Sequence, residues 1–264
     1  MIVPLRKFLS YLLLVQCSLF VFGCSSTKKV VYFNNIQDSV LPSGVENIEP
    51  LIQKNDLLSI SVSSLNPEAS KIFNTPNVTD SEAPDFSGRA TSVSGYLVNA
   101  QGYIQFPILG NIKALGLTKR QLKESITKSL TDRKLLVDPI INIRYLNYRV
   151  TVLGEVANPT VVNAPNEKIT LLEALGLAGD LTIYAKRSNV LIIREVEDKK
   201  IIKRINLNST ELFNSQYYYL QPNDIVYVEP DKAKVATANP VRQLLPLIFS
   251  GLTVVVVAVD RLTR

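Results

Sequence analysis

Residues 149–179 decide the fold of the second half of this chain, and they read RVTVLGEVANPTVVNAPNEKITLLEALGLAG. Val150 and Val152 alternate with polar residues, a pattern that predicts a half-buried strand over 149–156. Asn158-Pro159 then ends this strand, because proline has no backbone N–H to give to a strand ladder.

A helix follows in the same stretch, and both of its ends are visible in the sequence. Thr170, with Glu173 three residues later, forms a capping box that predicts the start of the helix. Gly179 suits the left-handed position just past the end of the helix. The apolar residues that predict its buried face are Leu171, Leu172 and Leu175.

The region after this helix predicts further strands. The charged segment 197–200 lies between two apolar runs, which indicates a hairpin, and the polar turn 221–224 lies between two more. The predicted strands are 189–196, 201–207, 217–220 and 225–228. A strand, a helix and further strands within roughly 80 residues predict a small β-grasp-like domain.

The region before residue 149 predicts another α+β unit. Thr118 and Gln121 form a second capping box, while the stretch 66–94, rich in Ser, Pro, Asn and Asp, predicts a long loop. A hairpin is expected where two strands, 96–98 and 103–108, flank a turn at 99–102. The remaining predicted elements are strands at 56–62 and 141–145, and a helix whose buried face is Leu122, Ile126 and Leu130.

One short sequence occurs twice in similar form. Gln53-Lys54-Asn55-Asp56 resembles Gln221-Pro222-Asn223-Asp224, and each precedes an apolar strand. We interpret the similarity as one turn type used at two strand entries, which is a simpler explanation than an internal repeat.

The N-terminus predicts export and lipidation. Arg6 and Lys7 precede an apolar run over 8–22, the order of regions typical of a secretory signal peptide. The run is shorter than the roughly 20 apolar residues of a membrane span, which favours cleavage over an uncleaved anchor. Cys24 directly follows Gly23, as in bacterial lipoprotein signals. The Cys24 thiol is therefore expected to carry diacylglycerol, and its new amine a further acyl chain.

The composition excludes most catalytic chemistry. The 264 residues include no histidine and no tryptophan, and the two cysteines are Cys17 and Cys24. Without histidine, Ser-His-Asp and Cys-His machinery cannot be built, and a zinc site would need carboxylates alone. With Cys17 in the signal peptide, the mature chain cannot form an internal disulfide. We predict no enzyme, no catalytic residue, no cofactor and no metal.

A net charge of +6 without a block of like charges gives nucleic-acid binding no support.

The C-terminal segment predicts a helix in a membrane. Asn239-Pro240 is typical of a helix start, and 244–259 is mainly apolar, roughly 24 Å of helix. That is short for a span, although outer membranes are thinner than average. Four polar residues fall on one helical face, Gln243, Ser250, Thr253 and Asp260. They predict the lining of a pore enclosed by a ring of helices. A tail anchor, a buried interface helix or a strand at 254–257 are the alternatives.

Short motifs follow one another in order between residues 50 and 230. NDLLSI at 55–60, GYIQFPILG at 102–110, GLT at 116–118 and Asp138-Pro139 resemble the polysaccharide export domain of Wza-type outer-membrane polysaccharide export lipoproteins. VLGEV at 152–156, TLLEAL at 170–175 and Ala178-Gly179 resemble the SLBB domain, a β-grasp module that follows it in that family. Where the family often has a double glycine, this chain has Gly179-Asp180.

The resemblance implies an α+β fold of two small periplasmic domains with a C-terminal membrane helix. The expected segments are a signal peptide at 1–23, a lipidated tether at 24–49, an export domain at 50–146, an SLBB domain at 147–230 and a pore helix at 231–264. Within the tether, the isolated apolar patch Val30-Val31-Tyr32-Phe33 leaves an edge strand as an open alternative.

The function that the resemblance implies is transport. It predicts a lipoprotein anchored in outer-membrane lipid, with its domains in the periplasm, whose homo-oligomeric ring forms a channel for capsular polysaccharide or exopolysaccharide. An inner-membrane polysaccharide co-polymerase is the expected partner. The alternative is a periplasmic glycan-binding or scaffolding lipoprotein that opens no pore.

Overall fold

The computed structural model describes residues 31–34, 49–74, 95–196, 199–237 and 240–262. The predicted signal peptide, Cys24 and most of the predicted tether lie outside these residues. Within them the chain has a mixed α/β architecture, in which a three-stranded sheet and a hairpin are followed by a five-stranded sheet and a long terminal helix.

The first sheet is antiparallel, with its earliest strand in the centre. Strand β1 (Leu57–Ser63) pairs on one side with β2 (Tyr96–Leu97) and on the other with β5 (Ile140–Tyr145). Alternate residues of β1 point into the core, as the period-two pattern predicts, and these are Leu58, Ile60 and Val62.

The predicted loop at 66–94 is wrong at its beginning. Residues Pro67–Lys71 form helix α1, followed by a 3₁₀ turn at Ile72–Asn74. The Asn66 side chain accepts a hydrogen bond from the Ala69 N–H at 3.2 Å, so Asn-Pro acts here as an N-cap followed by proline at the first helical position. Residues 75–94 lie outside the described part of the chain.

The two strands predicted on either side of the turn at 99–102 form, but they do not pair with each other as a hairpin. The turn itself forms, with Gly102 at φ +85°, but β2 pairs with β1. Strand β3 (Tyr103–Phe106) pairs instead with β4 (Gly110–Lys113), which the sequence did not predict. Four residues with one buried apolar side chain, Ile112, give too short a pattern for prediction.

Helix α2 (Lys119–Asp132) confirms the first capping box. The Thr118 hydroxyl accepts from the Gln121 N–H at 3.2 Å, and the Gln121 side chain accepts from the Thr118 N–H at 2.9 Å. The predicted buried face is also confirmed, because Leu122, Ile126 and Leu130 have no exposed surface. This face packs against β5.

The second sheet has the order β7-β6-β10-β8-β9. Its strands are β6 (Arg149–Gly154), β7 (Thr160–Asn163), β8 (Ala185–Val196), β9 (Lys199–Ile205) and β10 (Ile225–Pro230). Strands β6 and β10 run parallel, and the other neighbours are antiparallel. The hairpin of β8 and β9 confirms the prediction. The strand predicted at 217–220 is wrong, since Tyr219 forms only a single bridge to Thr170.

Helix α3 (Leu171–Leu177) confirms the second capping box. Glu173 accepts from the Thr170 N–H at 2.7 Å, and the Thr170 hydroxyl accepts from the Glu173 N–H at 3.1 Å. Gly179 has φ +79°, the left-handed conformation predicted for it. Strand β7 lies between β6 and this helix, and the sequence analysis did not predict it.

The chain ends in two helices, α4 (Lys232–Thr237) and α5 (Pro240–Leu262). Helix α5 begins at Pro240 as predicted and extends over 23 residues. Among the described residues, no helix combines the length and the apolar character that a membrane crossing requires. The expected membrane helix therefore has no support from this finding.

Candidate functional site

The two similar sequences form turns of the same geometry. Asp56 accepts a hydrogen bond from the Gln53 N–H at 2.7 Å, and Asp224 accepts one from the Gln221 N–H at 2.7 Å. The third residue of each turn is an asparagine in the left-handed region, with φ +66° at position 55 and +65° at position 223. The interpretation as a shared strand-entry turn is confirmed.

The two turns lie on opposite sides of a cleft between the two domains. The cleft has a volume of about 900 Å³. Its polar lining combines cations, amides and a carboxylate, supplied by Lys54, Asn55, Lys113, Asn147, Arg149, Glu195 and Asn223.

The connection between the domains fixes the backbone of both turns. Asn147 donates to the Asn55 carbonyl at 3.0 Å and accepts from the Leu57 N–H at 2.9 Å. On the other side, the Asn223 N–H donates to the Arg149 carbonyl at 2.8 Å. Residues 147–149 therefore hold both rims of the cleft.

A glutamate from the second domain joins it to the first. Glu167 accepts from the Tyr145 N–H at 2.8 Å and forms an ion pair with Lys119. Arg144 lies 3.7 Å from the same carboxylate. The Glu167 side chain is mostly buried, and its contacts are charge-assisted, so they restrict the angle between the domains.

The aspartates of the two turns have different surroundings. Asp224 is fully buried and pairs with the Arg194 guanidinium at 2.7 Å. Asp56 is equally buried, but its Oδ1 has no hydrogen-bond partner in the described part of the chain. Burial raises the pKa of Asp56 to about 6, and the Gln53 N–H only partly opposes that shift.

A short segment of the tether docks on the second domain. The Phe33 N–H donates to the Leu207 carbonyl at 3.2 Å, and its ring lies 5.0 Å from that of Phe213. The Tyr32 hydroxyl donates to Asp180, while Arg187 lies 5.5 Å from the centre of the Tyr32 ring. Burial raises the pKa of Tyr32. Residues 31–34 form no strand, so the edge-strand alternative is wrong for them.

This docking is not predicted by any local pattern in the sequence. Two signals were present, the apolar patch in a polar stretch and the aspartate at position 180 in place of the second glycine that the family often has. Asp180 has φ +68°, a conformation that glycine adopts without strain. In this chain the residue accepts the Tyr32 hydrogen bond instead.

The residues predicted to line a pore lie on α5, away from the cleft. The hydroxyls of Ser250 and Thr253 are exposed, and they donate to the carbonyls of Leu247 and Phe249 at 2.9 and 2.8 Å. Gln243 and Asp260 belong to the same helix, but their side chains lie outside the description.

The described residues contain no group of three or more acidic or cysteine side chains able to hold a metal ion.

Comparison with known proteins identifies both domains. Residues 46–146 match the family model described as polysaccharide biosynthesis/export protein, and residues 148–228 match the SLBB domain model.

Two relatives carry the printed name EPS I polysaccharide export outer membrane protein EpsA. The one from Ralstonia nicotianae is 36% identical over 149 residues, which cover 54% of this chain and 38% of the relative. The one from Ralstonia solanacearum is 31% identical over 199 residues, which cover 72% and 51%. The chain thus spans about half the length, or less, of these relatives. The two models match consecutive regions in the order predicted from the motifs, with the polysaccharide biosynthesis/export region followed directly by the SLBB region.

Proposed function

We propose that this protein is an outer-membrane lipoprotein whose oligomer forms a channel for the export of capsular polysaccharide or exopolysaccharide. The observation that carries the proposal is the pair of consecutive matches to the export and SLBB models. The names of the two Ralstonia relatives support both the transported material and the outer-membrane location.

Lipidation of Cys24 and a periplasmic location of both domains are part of the proposal. The apolar run at 8–22 and the cysteine directly after Gly23 support them. The boundaries that we propose are 1–23 for the signal peptide, 24–49 for the tether, 50–146 and 147–230 for the two domains, and 231–264 for the C-terminal segment.

Helix α5 supports the oligomeric part of the proposal. Leu247 is 66% exposed and Val254 68%, and other large apolar side chains of the helix are similarly exposed. A continuous apolar surface of this kind marks a protein or membrane contact. In the proposed ring, neighbouring copies and lipid cover the apolar side chains, while Gln243, Ser250, Thr253 and Asp260 face water. The mechanism is passive conduction without catalysis, and an inner-membrane polysaccharide co-polymerase docks at the periplasmic end.

Cysteine labelling in intact cells tests the channel. Single cysteines at Ser250 and Thr253 are treated with a membrane-impermeant thiol reagent, with Val255 and Val256 as lipid-facing controls. We expect labelling at 250 and 253 and protection at the controls. Protection at all four positions would contradict a water-filled helical pore.

A scaffold without a pore is the second candidate function. The observation that favours it is that the Ser250 and Thr253 hydroxyls donate to carbonyls of their own helix, which satisfies these groups without water in a pore. A scaffold predicts that large apolar replacements, such as Ser250→Leu and Thr253→Leu, leave surface polysaccharide unchanged. A channel predicts that they block its appearance on the cell surface.

A further inference from the structure

We propose that the cleft between the two domains binds an anionic sugar unit, such as a hexuronate, within a glycan chain. This inference rests on the proposed export function, and it names the place where this chain contacts an acidic polymer.

Cationic side chains outnumber carboxylates in the cleft. Lys54, Lys113 and Arg149 are among its lining residues, and Glu195 is the one carboxylate among those described. The side chains of Lys113 and Arg149 have neither an ion pair nor a hydrogen bond in the described part of the chain. A concave site with such cations attracts an anionic ligand.

Two amides complete the set of groups that a sugar requires. Asn55 and Asn223 lie at the two rims, and their side chains make no hydrogen bond within the described residues. An amide carries both a donor and an acceptor, which matches the hydroxyl groups of a sugar. Cations for the carboxylate and amides for the hydroxyls are thus present together.

The cleft is formed before any ligand binds. Residues 147–149 hold both rims through backbone hydrogen bonds. Glu167 joins the two domains through the Tyr145 N–H and Lys119. A preformed site loses little conformational freedom on binding. Small-molecule sites favour domain interfaces and commonly measure about 300–1,000 Å³, a range that includes this cleft.

Calorimetric titration of the purified full chain in detergent tests the inference. The probes are tetragalacturonic acid and maltotetraose, which have the same number of sugar units but differ in charge. We expect the acidic tetramer to bind at least about tenfold more tightly. The double variant Lys113→Gln/Arg149→Gln should lose at least about tenfold of that affinity. The control Lys123→Gln/Lys128→Gln, on the exposed face of α2, should lose none.

Three binding results overturn the inference. They are equal binding of the two probes, no binding of the acidic probe, and unchanged binding in the double variant. A change of oligomeric state in the double variant, measured by light scattering, would also overturn it, because the cleft would then be a contact between copies. The proposed export function is tested separately, by measuring the surface polysaccharide of cells that lack the protein. Lost export together with an empty cleft would refute this inference and leave the proposed function standing.

Discussion

Asp56 and Asp224 occupy the same position in two turns of one geometry, yet within the part of the chain that the structure describes only Asp224 has a cation paired with it. Both carboxyl groups are fully buried. Burial raises the pKa of Asp224 and the Arg194 guanidinium beside it opposes that rise, while one oxygen of Asp56 has no partner among the described residues. The same substitution at these two positions should therefore have opposite effects on stability.

Asp56→Asn should stabilise the protein at neutral pH. The folded-state pKa of about 6 lies above the ordinary value of 3.8, so the folded state binds the proton more tightly than the unfolded chain. The contribution of Asp56 to stability is present below about pH 4 and is lost as the pH rises through 6. An amide keeps the acceptor for Gln53 and does not ionise. Urea unfolding at pH 4–8 should show that the variant has a higher free energy of unfolding than the unchanged protein. The difference should grow to about 2–3 kcal/mol at pH 7. A gain that does not vary with pH would contradict this explanation.

Asp224→Asn should destabilise the protein. The substitution leaves the Arg194 guanidinium buried without a countercharge. Breaking a buried ion pair in this way costs about 3–5 kcal/mol. Urea unfolding of both asparagine variants at pH 7 is the measurement. Equal changes in the free energy of unfolding of the two variants would show that the ion pair with Arg194 does not stabilise the protein.

At the scale of elements, the pairing of β6 with β10 depends on Gly154. This glycine has φ +92°, and a Cβ placed on it would lie 2.1 Å from the Val228 carbonyl oxygen. Gly154→Ala should therefore lower the free energy of unfolding by about 3 kcal/mol. An alanine would be strained at this φ, and its Cβ would overlap the Val228 carbonyl oxygen. Gly176→Ala in α3 is the matched control, since its Cβ would meet nothing within 4 Å. The control should stabilise by about 0.5–1 kcal/mol, and thermal unfolding of the two variants compares them.

The elements that could be predicted are those with signals close together in the sequence. Both capping boxes and the apolar faces behind them need only four to twelve neighbouring residues, and both helices were predicted correctly. Strands β4 and β7 have four residues each, which is too short for a reliable period. The Asn66-Pro67 helix start is hard to predict because asparagine and proline are equally typical of loops.

The cleft could not be predicted, although both of its turns were noticed. Its existence depends on how the domains are placed, and that placement depends on Glu167 meeting Lys119 and the Tyr145 N–H. These contacts join residues 22–48 positions apart, and no local pattern encodes them. The docking of Tyr32 on Asp180 spans 148 positions and was hidden for the same reason.

At the scale of the whole molecule, Glu167→Ala should loosen the two domains. The change removes the acceptor for the Tyr145 N–H and the partner of Lys119. Spin labels on Leu65 and Ile202, which are 84% and 60% exposed, report one domain each. We expect a broader distance distribution by pulsed electron resonance, with the fold of each domain retained.

Glu124→Ala is the control for this measurement. Glu124 lies on the exposed face of α2 and pairs only with Arg120 within the described residues. The control should leave the distance distribution unchanged. A distribution that stays narrow in Glu167→Ala would show that other contacts set the angle between the domains.

The docked segment at Tyr32 and Phe33 also sets a length. With the proposed lipid on Cys24, seven residues lie between Cys24 and Tyr32, and the eight Cα–Cα steps that join them reach roughly 29 Å when fully extended. The point on the second domain where Tyr32 docks would then stay within that distance of the lipid surface. Each copy in a ring would have its own short lipid-linked segment, and several such segments together would oppose tilting of the ring. Under the proposed lipidation, two aromatic residues in a polar stretch would set which domain lies nearer the lipid surface.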